Sequence, residues 1–408
     1  MNDNQRIAFL CHPYHRGGVT RWMADAALAL AKNGHEVYFI TLEPAKEFVS
    51  AKGRETLLRL LDKGDHAIHV IKTKAGSEFE FGTREYRAYI YRKLMLKLPP
   101  GTPVILSDDE TIWKAATFLH NTYPIVGVLH ADDENYYFLA EKYFLQVSVF
   151  VCVSERVRRI AMQRVPQIGE HTVFTIPCGI NLPVIDYSVH PGNLLQLVYV
   201  GRIGEYQKRV SDLVKVCSLL HQRNVTFHLD IIGDGSDKKP LENKFKETGL
   251  EALVTFHGWQ PQKKVNEQLS VSDILVLTSD FEGTPIAMME ALASGCGFTG
   301  TRVSGIEDYE RHPLAANCFS VYTVGDIEDA VNKITKIAAI PRNIRRHAAR
   351  ELAETEFSMD VCLRKYMDAI ATIRPVEVPA QGIKLTFFKL LYSRALATAR
   401  YLKVSFTS

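Results

Sequence analysis

The sequence predicts an α/β protein of two successive halves, each a parallel sheet covered by helices on both faces. Three observations carry this. The chain has 408 residues, more than a single hydrophobic core of about 250 to 300 residues organises. It opens on a strand, a glycine-containing loop, a helix and a second strand. The same alternation restarts near Leu194 after a turn-rich stretch.

The first strand is RIAFLCH, Arg6 to His12, followed by the Gly17-Gly18 loop. The helical pattern in TRWMADAALALAKNGHEVYFIT ends at Asn33-Gly34, and a second strand follows, which makes a βαβ unit. Apolar runs at Pro103–Ser107, Pro124–His130 and Ser148–Ser154 predict further strands, spaced widely enough for helices between them. Continuous apolar strands alternating with helices indicate a parallel sheet buried on both faces. IPCGINLPVIDYSVHPGN reads as a linker. The second half brings the strand LLQLVYVGR, Leu194 to Arg202, and the helix RVSDLVKVCSLLHQ with Val210, Leu213, Cys217 and Leu220 on one face. Strands at TFHLDIIGDG, LVTFHGW and DILVLTS complete it. The expected boundaries are 1–182, a linker at 183–193, 194–372, and a final linker with a basic amphipathic segment at 373–408. Open parallel sheets bind ligands beyond the carboxyl ends of their strands, so functional residues belong in strand-end loops facing a cleft between the halves.

Composition narrows the function. A 46% hydrophobic and 23% charged chain is an ordinary globular protein, and a net charge of +3 argues for no nucleic-acid partner. The seven cysteines are scattered without a Cys-x-x-Cys pair, which predicts buried reduced thiols rather than zinc or redox chemistry. No signal-peptide core or run of about 20 apolar residues stands out, so a cytoplasmic location is expected.

SDFEGTPIAMMEALASG, Ser279 to Gly295, places Glu282 before a Gly283-Thr284-Pro285 turn and Glu290 inside the helix that follows. Thr284 reads as the helix N-cap and Pro285 as its first residue, leaving the amides of Ile286 and Ala287 free for a phosphate. Two carboxylates could then hold ligand hydroxyls on either side of that phosphate; a charged helix start plus a solvated glutamate is the plainer alternative. In VGRIGEYQKR, Arg202 ends a strand and Lys208 follows in the loop, a pair able to clamp a diphosphate, although such charges are usually just solvated. Gly233-Asp234-Gly235 would let backbone approach a nucleotide, or is a simple turn. Neither glycine cluster completes a dinucleotide fingerprint, and no P-loop is present.

The ordered set RGGV, NGHEV, VLH at His130, VCVSE, IPCGIN, VGR with Lys208, IIGDG, FHGW and SDFEGTPIAMMEALASG resembles the retaining glycosyltransferases of the two-Rossmann-domain B fold, sequence family four (glycosyl transferases group 1). The resemblance covers about residues 6 to 310. It implies a nucleotide-sugar-binding second half and an acceptor-side first half. By position, Arg202 and Lys208 would hold the donor diphosphate and Glu290 the ribose hydroxyls. Glu282 would contact the donor sugar, and the amides from Gly283 to Ala287 would complete the phosphate cradle. Gly17 and Gly18 would approach the same phosphates from the first half, and His130 would stand near the donor sugar, where a satisfied structural histidine is the alternative. The family usually has an aromatic-glycine pair where this chain has Thr284-Pro285, so the identity of the sugar is not inherited.

The implied activity is retaining, metal-independent transfer of a sugar from a nucleoside-diphosphate sugar to a glycan, lipid-linked or small-molecule acceptor, without a cofactor. Attack comes from the face the phosphate leaves, in polysaccharide or glycoconjugate synthesis. The rivals are a non-catalytic nucleotide-sugar-binding protein and a nucleotide-sugar epimerase. Gly382 to Ser408 carries Lys384, Lys389, Arg394, Arg400 and Lys403 without an acid, with Phe387, Leu391 and Leu402 sharing a helical face. It predicts either a helix on an anionic inner membrane surface, suiting a lipid-linked acceptor, or a terminal helix packed on its own domain.

Overall fold

The computed structural model describes residues 5–11, 18–43, 68–74, 83–106, 109–184, 194–373, 392 and 395–396. Gly17 and all but three residues of the basic segment Gly382 to Ser408 lie outside these. The chain forms two compact units: one from residues up to Cys152, Arg158–Ile176 and the described residues from Leu363 onward, the other from Val153–Val157 and Pro177–Cys362. Among the described residues, no helix is long and apolar enough to cross a membrane.

The first unit holds a seven-stranded sheet of β1 (Arg6–Leu10), β2 (Glu36–Glu43), β3 (Ile68–Lys74), β4 (Val104–Leu106), β5 (Ile125–Leu129), β6 (Val149–Cys152) and β7 (Val173–Thr175). Their order is β3-β2-β1-β4-β5-β6-β7, with every neighbouring pair parallel. The first helix, Gly18–Lys32, stops where Gly34 takes φ +89°, the left-handed conformation that ends helices most readily. The helix starts at Gly18 itself.

The second unit holds a six-stranded sheet of β8 (Leu195–Val200), β9 (Phe227–Ile232), β10 (Val254–Gly258), β11 (Ile274–Leu277), β12 (Gly297–Thr301) and β13 (Phe319–Tyr322). The order is β10-β9-β8-β11-β12-β13, again parallel throughout. The helix Ser211–Gln222 buries Leu213, Cys217 and Leu220, with Val210 just ahead of it, as its spacing predicts. All seven cysteines are buried and unbridged. In both sheets the strand order reverses beside the first strand, between β1 and β4 and between β8 and β11. A parallel sheet opens a ligand crevice at such a point, beyond the strand ends.

Candidate functional site

At the reversal point of the second sheet, two loops leave neighbouring strands. β8 runs out through Gly201 to Gly204 into a single helical turn, Glu205–Lys208, and β11 runs out through Thr278 to Gly283. Hydrogen bonds zip the loops together. Thr278 Oγ1 donates to the Lys208 carbonyl at 2.7 Å, the Asp280 amide to the Gln207 carbonyl at 2.8 Å, and Gln207 Nε2 to the Phe281 carbonyl at 3.1 Å. Lys208 Nζ consequently meets Glu282 Oε1 at 2.5 Å, and Ser279 Oγ donates to the same oxygen at 2.6 Å. Glu282 is 6% exposed, so this is a nearly dry ion pair whose geometry both loops fix.

Arg202 and Lys208, the two cations expected to clamp a diphosphate, each have a partner on the protein. Arg202 is exposed and its Nη2 donates to Gln207 Oε1 at 2.9 Å, while Lys208 is engaged by Glu282. Gln207, not singled out in the sequence, thus links Arg202 to the Phe281–Glu282 turn. A lysine ammonium has three donors, so Lys208 can hold Glu282 and still offer a proton to a phosphate.

The helix after Glu282 begins one residue later than the sequence suggests. It spans Ile286–Ala293, Pro285 is its N-cap, and no side chain caps it. Thr284 is buried and its Oγ1 donates to the Val153 carbonyl at 2.5 Å, which removes it from capping. The Met288 amide already bonds the Pro285 carbonyl, leaving the Ile286 and Ala287 amides at the open end, as expected. Glu290 sits in the second turn, where Gln262 Nε2 donates to its Oε1 at 2.7 Å.

Two glycines at positive φ shape this region. Gly305 takes φ +71°, and a Cβ there would fall 1.6 Å from the Gly283 carbonyl oxygen, so the Glu282–Thr284 turn rests directly on it. Gly233 takes φ +146°, and its Cβ would lie 1.8 Å from the Gly201 carbonyl oxygen. The space it frees is filled by the Arg202 loop, held by an Ile203 amide bond to the Asp234 carbonyl at 3.0 Å. Gly233 therefore supports the Arg202 loop from behind.

His130 lies in the first unit at the end of β5, edge-on to Trp22 with ring centroids 5.6 Å apart and to Tyr136 at 6.2 Å. Burial pushes its imidazole down to about 3, so the ring is neutral at any working pH. Asp132, Asp133 and Glu134 serve the start of the next helix: Asp133 Oδ1 accepts from the Asn135 amide at 2.9 Å, Asp132 Oδ1 from the Tyr137 hydroxyl at 2.6 Å, and Glu134 pairs with Arg164.

The depressed His130 value gives a stability prediction with a definite sign. The unfolded chain takes up the proton near pH 6.5 and the folded chain only near 3, so stability is full above about 6.5 and falls as pH drops towards 3. The slope is about 1.4 kcal/mol per pH unit. Urea unfolding at pH 7 and pH 5 should show wild type losing about 2 kcal/mol more than His130→Gln over that interval. Equal losses would place the ring in contact with water.

Comparison with known proteins adds to this geometry. A model described as Glycosyltransferase Family 4 matches residues 16–183, and one described as Glycosyl transferases group 1 matches residues 186–352. The lipopolysaccharide 1,6-galactosyltransferase of Salmonella typhimurium is 35% identical over 144 residues, 34% of this chain and 38% of that protein. The amylovoran biosynthesis glycosyltransferase AmsK of Erwinia amylovora is 27% identical over 205 residues, 48% of each chain. These matches span less than half the length of either relative. Among solved structures, the lipopolysaccharide outer core galactosyltransferase WaaB in its apo form superposes with a TM-score of 0.66 at 19% identity, over 90% of this chain and 99% of that one. Anabaena Alr3699/HepE in complex with UDP gives 0.69 at 14% identity, over 90% and 100%.

Proposed function

We propose a function for this chain from the premise that it belongs to the glycosyltransferases of group 1 and family 4 and has their GT-B type of fold. It moves a sugar from a nucleoside-diphosphate sugar to a saccharide or lipid-linked acceptor, with retention at the anomeric carbon, in cell-surface polysaccharide or lipopolysaccharide synthesis. The lipopolysaccharide galactosyltransferase and amylovoran biosynthesis relatives support the process. The observation that carries the chemistry is the Lys208–Glu282 pair, held between the two reversal-point loops and followed at once by the open end of the Ile286–Ala293 helix.

In this reading the backbone amides of Gly283, Thr284, Ile286 and Ala287, the last two at the open end of the helix, receive the β-phosphate, and Lys208 and Arg202 stabilise the negative charge of the departing nucleoside diphosphate. Glu282 touches the donor sugar and stabilises positive charge at its anomeric carbon. Glu290, aimed by Gln262, takes the ribose hydroxyls. The acceptor oxygen attacks from the face the phosphate leaves and passes its proton to that phosphate. His130, in the first unit, keeps a neutral imidazole. Turnover does not require a divalent metal and should survive a chelator. The basic segment Gly382 to Ser408 would suit an anionic membrane surface.

The test is a panel of UDP-, GDP- and ADP-sugars, beginning with UDP-galactose, assayed for slow donor hydrolysis and for retention in the glycoside formed or in the free sugar released, read before it mutarotates. Binding without hydrolysis or transfer across the whole panel would leave a nucleotide-sugar-binding protein, and interconverted donor would mark an epimerase. Calorimetry with UDP should show Lys208→Met weaker by about 1.5 to 3 kcal/mol and Arg202→Ala, an exposed residue, by about 1 kcal/mol. Uridine binding should be unchanged in both, and parallel losses for uridine would take the phosphate role from these residues.

A further inference from the structure

We propose that Tyr206, backed by Phe281, is a stacking surface for a pyranose ring of the acceptor, placed beside the Lys208–Glu282 pair; this rests on the transferase reading above. Tyr206 stands in the single turn Glu205–Lys208, two residues before the lysine, and Phe281 is the residue before Glu282. Their rings meet edge to face, with centroids 5.7 Å apart and planes at 72°. Tyr206 nevertheless remains 86% exposed.

That combination is informative. A single exposed apolar side chain needs no explanation, and a tyrosine recruited only to pack would be covered. Here the ring is held but not covered. Its backbone is fixed to the site by the Asp280 amide bonding the Gln207 carbonyl at 2.8 Å, and by Gln207 Nε2 bonding the Phe281 carbonyl at 3.1 Å. The residue after Tyr206 is thus tied to Phe281 and to the residue before it, which joins the two loops that carry the ion pair. An aromatic ring with a phenolic rim complements a sugar, which presents an apolar C–H face bordered by hydroxyls. Such rings give contact area at little conformational cost.

The donor supplies three other rings, the base, the ribose and the sugar it transfers, and the local connections argue against those of its nucleoside. Glu290, assigned to the ribose, is tied to Gln262 at the head of the helix Gln262–Val271, which follows β10. Tyr206 is tied instead to the residue before Glu282, at the end assigned to the reacting sugar. The ring that follows the reacting sugar is the acceptor's. Tyr206 and Phe281 then select acceptors whose penultimate contact is an uninterrupted C–H face.

The experiment uses the full chain and two probes, methyl β-D-galactopyranoside, whose H3, H4 and H5 share one face, and UDP. Saturation-transfer NMR on wild type and Tyr206→Phe should show saturation of those three sugar protons. Tyr206→Ala should weaken the glycoside about three- to tenfold, leave the uracil protons of UDP saturated as in wild type, and keep the wild-type melting temperature. No glycoside saturation in wild type, or equal saturation in Tyr206→Ala, overturns the proposal. Loss of the uracil signals in Tyr206→Ala also overturns it, by giving the ring to the nucleotide. The transferase reading fails separately, if wild type neither binds UDP nor hydrolyses any donor while the glycoside signals behave as described.

Discussion

Glu282→Gln is expected to lower sugar transfer about 10²-fold while leaving UDP affinity unchanged or slightly improved. The opposite signs follow from the resting geometry. Glu282 holds the Lys208 ammonium at 2.5 Å and is itself held by Ser279. UDP lacks the transferable sugar that Glu282 would touch, and neutralising the carboxylate releases Lys208 for the phosphates. In the transition state the balance reverses, because positive charge develops on the donor sugar where the carboxylate stands, and an interaction gained only there appears in kcat. Glu290→Gln should behave differently, weakening UDP by about 1.5 to 3 kcal/mol through the lost charged acceptor. Calorimetry with UDP and initial rates on the same preparations decide the matter. If Glu282→Gln weakens UDP as much as Glu290→Gln does, or transfers sugar at the wild-type rate, the Lys208–Glu282 pair is an anchor between loops and nothing more. A melting temperature within a few degrees of wild type keeps a folding defect from imitating the kinetic one.

The sequence made the alternation of strand and helix readable because the central strands of both sheets are buried on both faces and read as unbroken apolar runs. β5 and β11 are of this kind, every residue buried. The edge strands β3 and β7 escaped notice, since IHVIKTK and VFT lie at the margins of the first sheet and stay partly exposed. β12 was equally hard to see: in GFTGT, small and hydroxylated residues are fully buried because they sit in a packed interior. At the site, Arg202, Lys208 and Glu282 were visible as residue types after strand ends, and Glu290 as a carboxylate in the helix that follows. Their partners were not, because Gln207, Gln262 and Ser279 are ordinary polar residues whose roles come from neighbouring strands brought together by the fold. Gly305 carried no signal at all: its need for an absent side chain comes from the Gly283 carbonyl, 22 positions earlier by residue number.

Asp273→Ala should destabilise the second unit by about 3 to 5 kcal/mol, the cost of stranding a buried cation. Asp273 precedes β11, and its backbone joins both neighbours: its amide bonds the Gln196 carbonyl at 2.7 Å, and its carbonyl accepts from the Gly297 amide at 2.9 Å. Its side chain adds an acceptor for the Gln196 amide at 3.0 Å and pairs with Arg345 Nη2 at 2.5 Å. Arg345 is only 3% exposed, and burial lowers its pKa. Its Nη1 also donates to the carbonyls of Ile337 and Ile340, at 3.2 and 3.3 Å. One carboxylate thus connects β8 and β11 to the helices Ile327–Ala338 and Arg342–Glu356. Removing it leaves the Arg345 guanidinium in the interior with carbonyl partners but no counter-charge, and takes the ion pair from the partly exposed Arg342 at 3.4 Å, whereas Asp273→Ala combined with Arg345→Met removes the buried pair and should recover most of the loss. Urea unfolding followed by circular dichroism measures each step. A single Asp273→Ala change within about 1 kcal/mol of wild type, or a double variant no better than the single, would show that the pair does not hold the unit together. Because β11 runs straight from Asp273 into the Ser279–Glu282 turn, the same substitution should remove the stabilisation by UDP at temperatures where wild type still binds it.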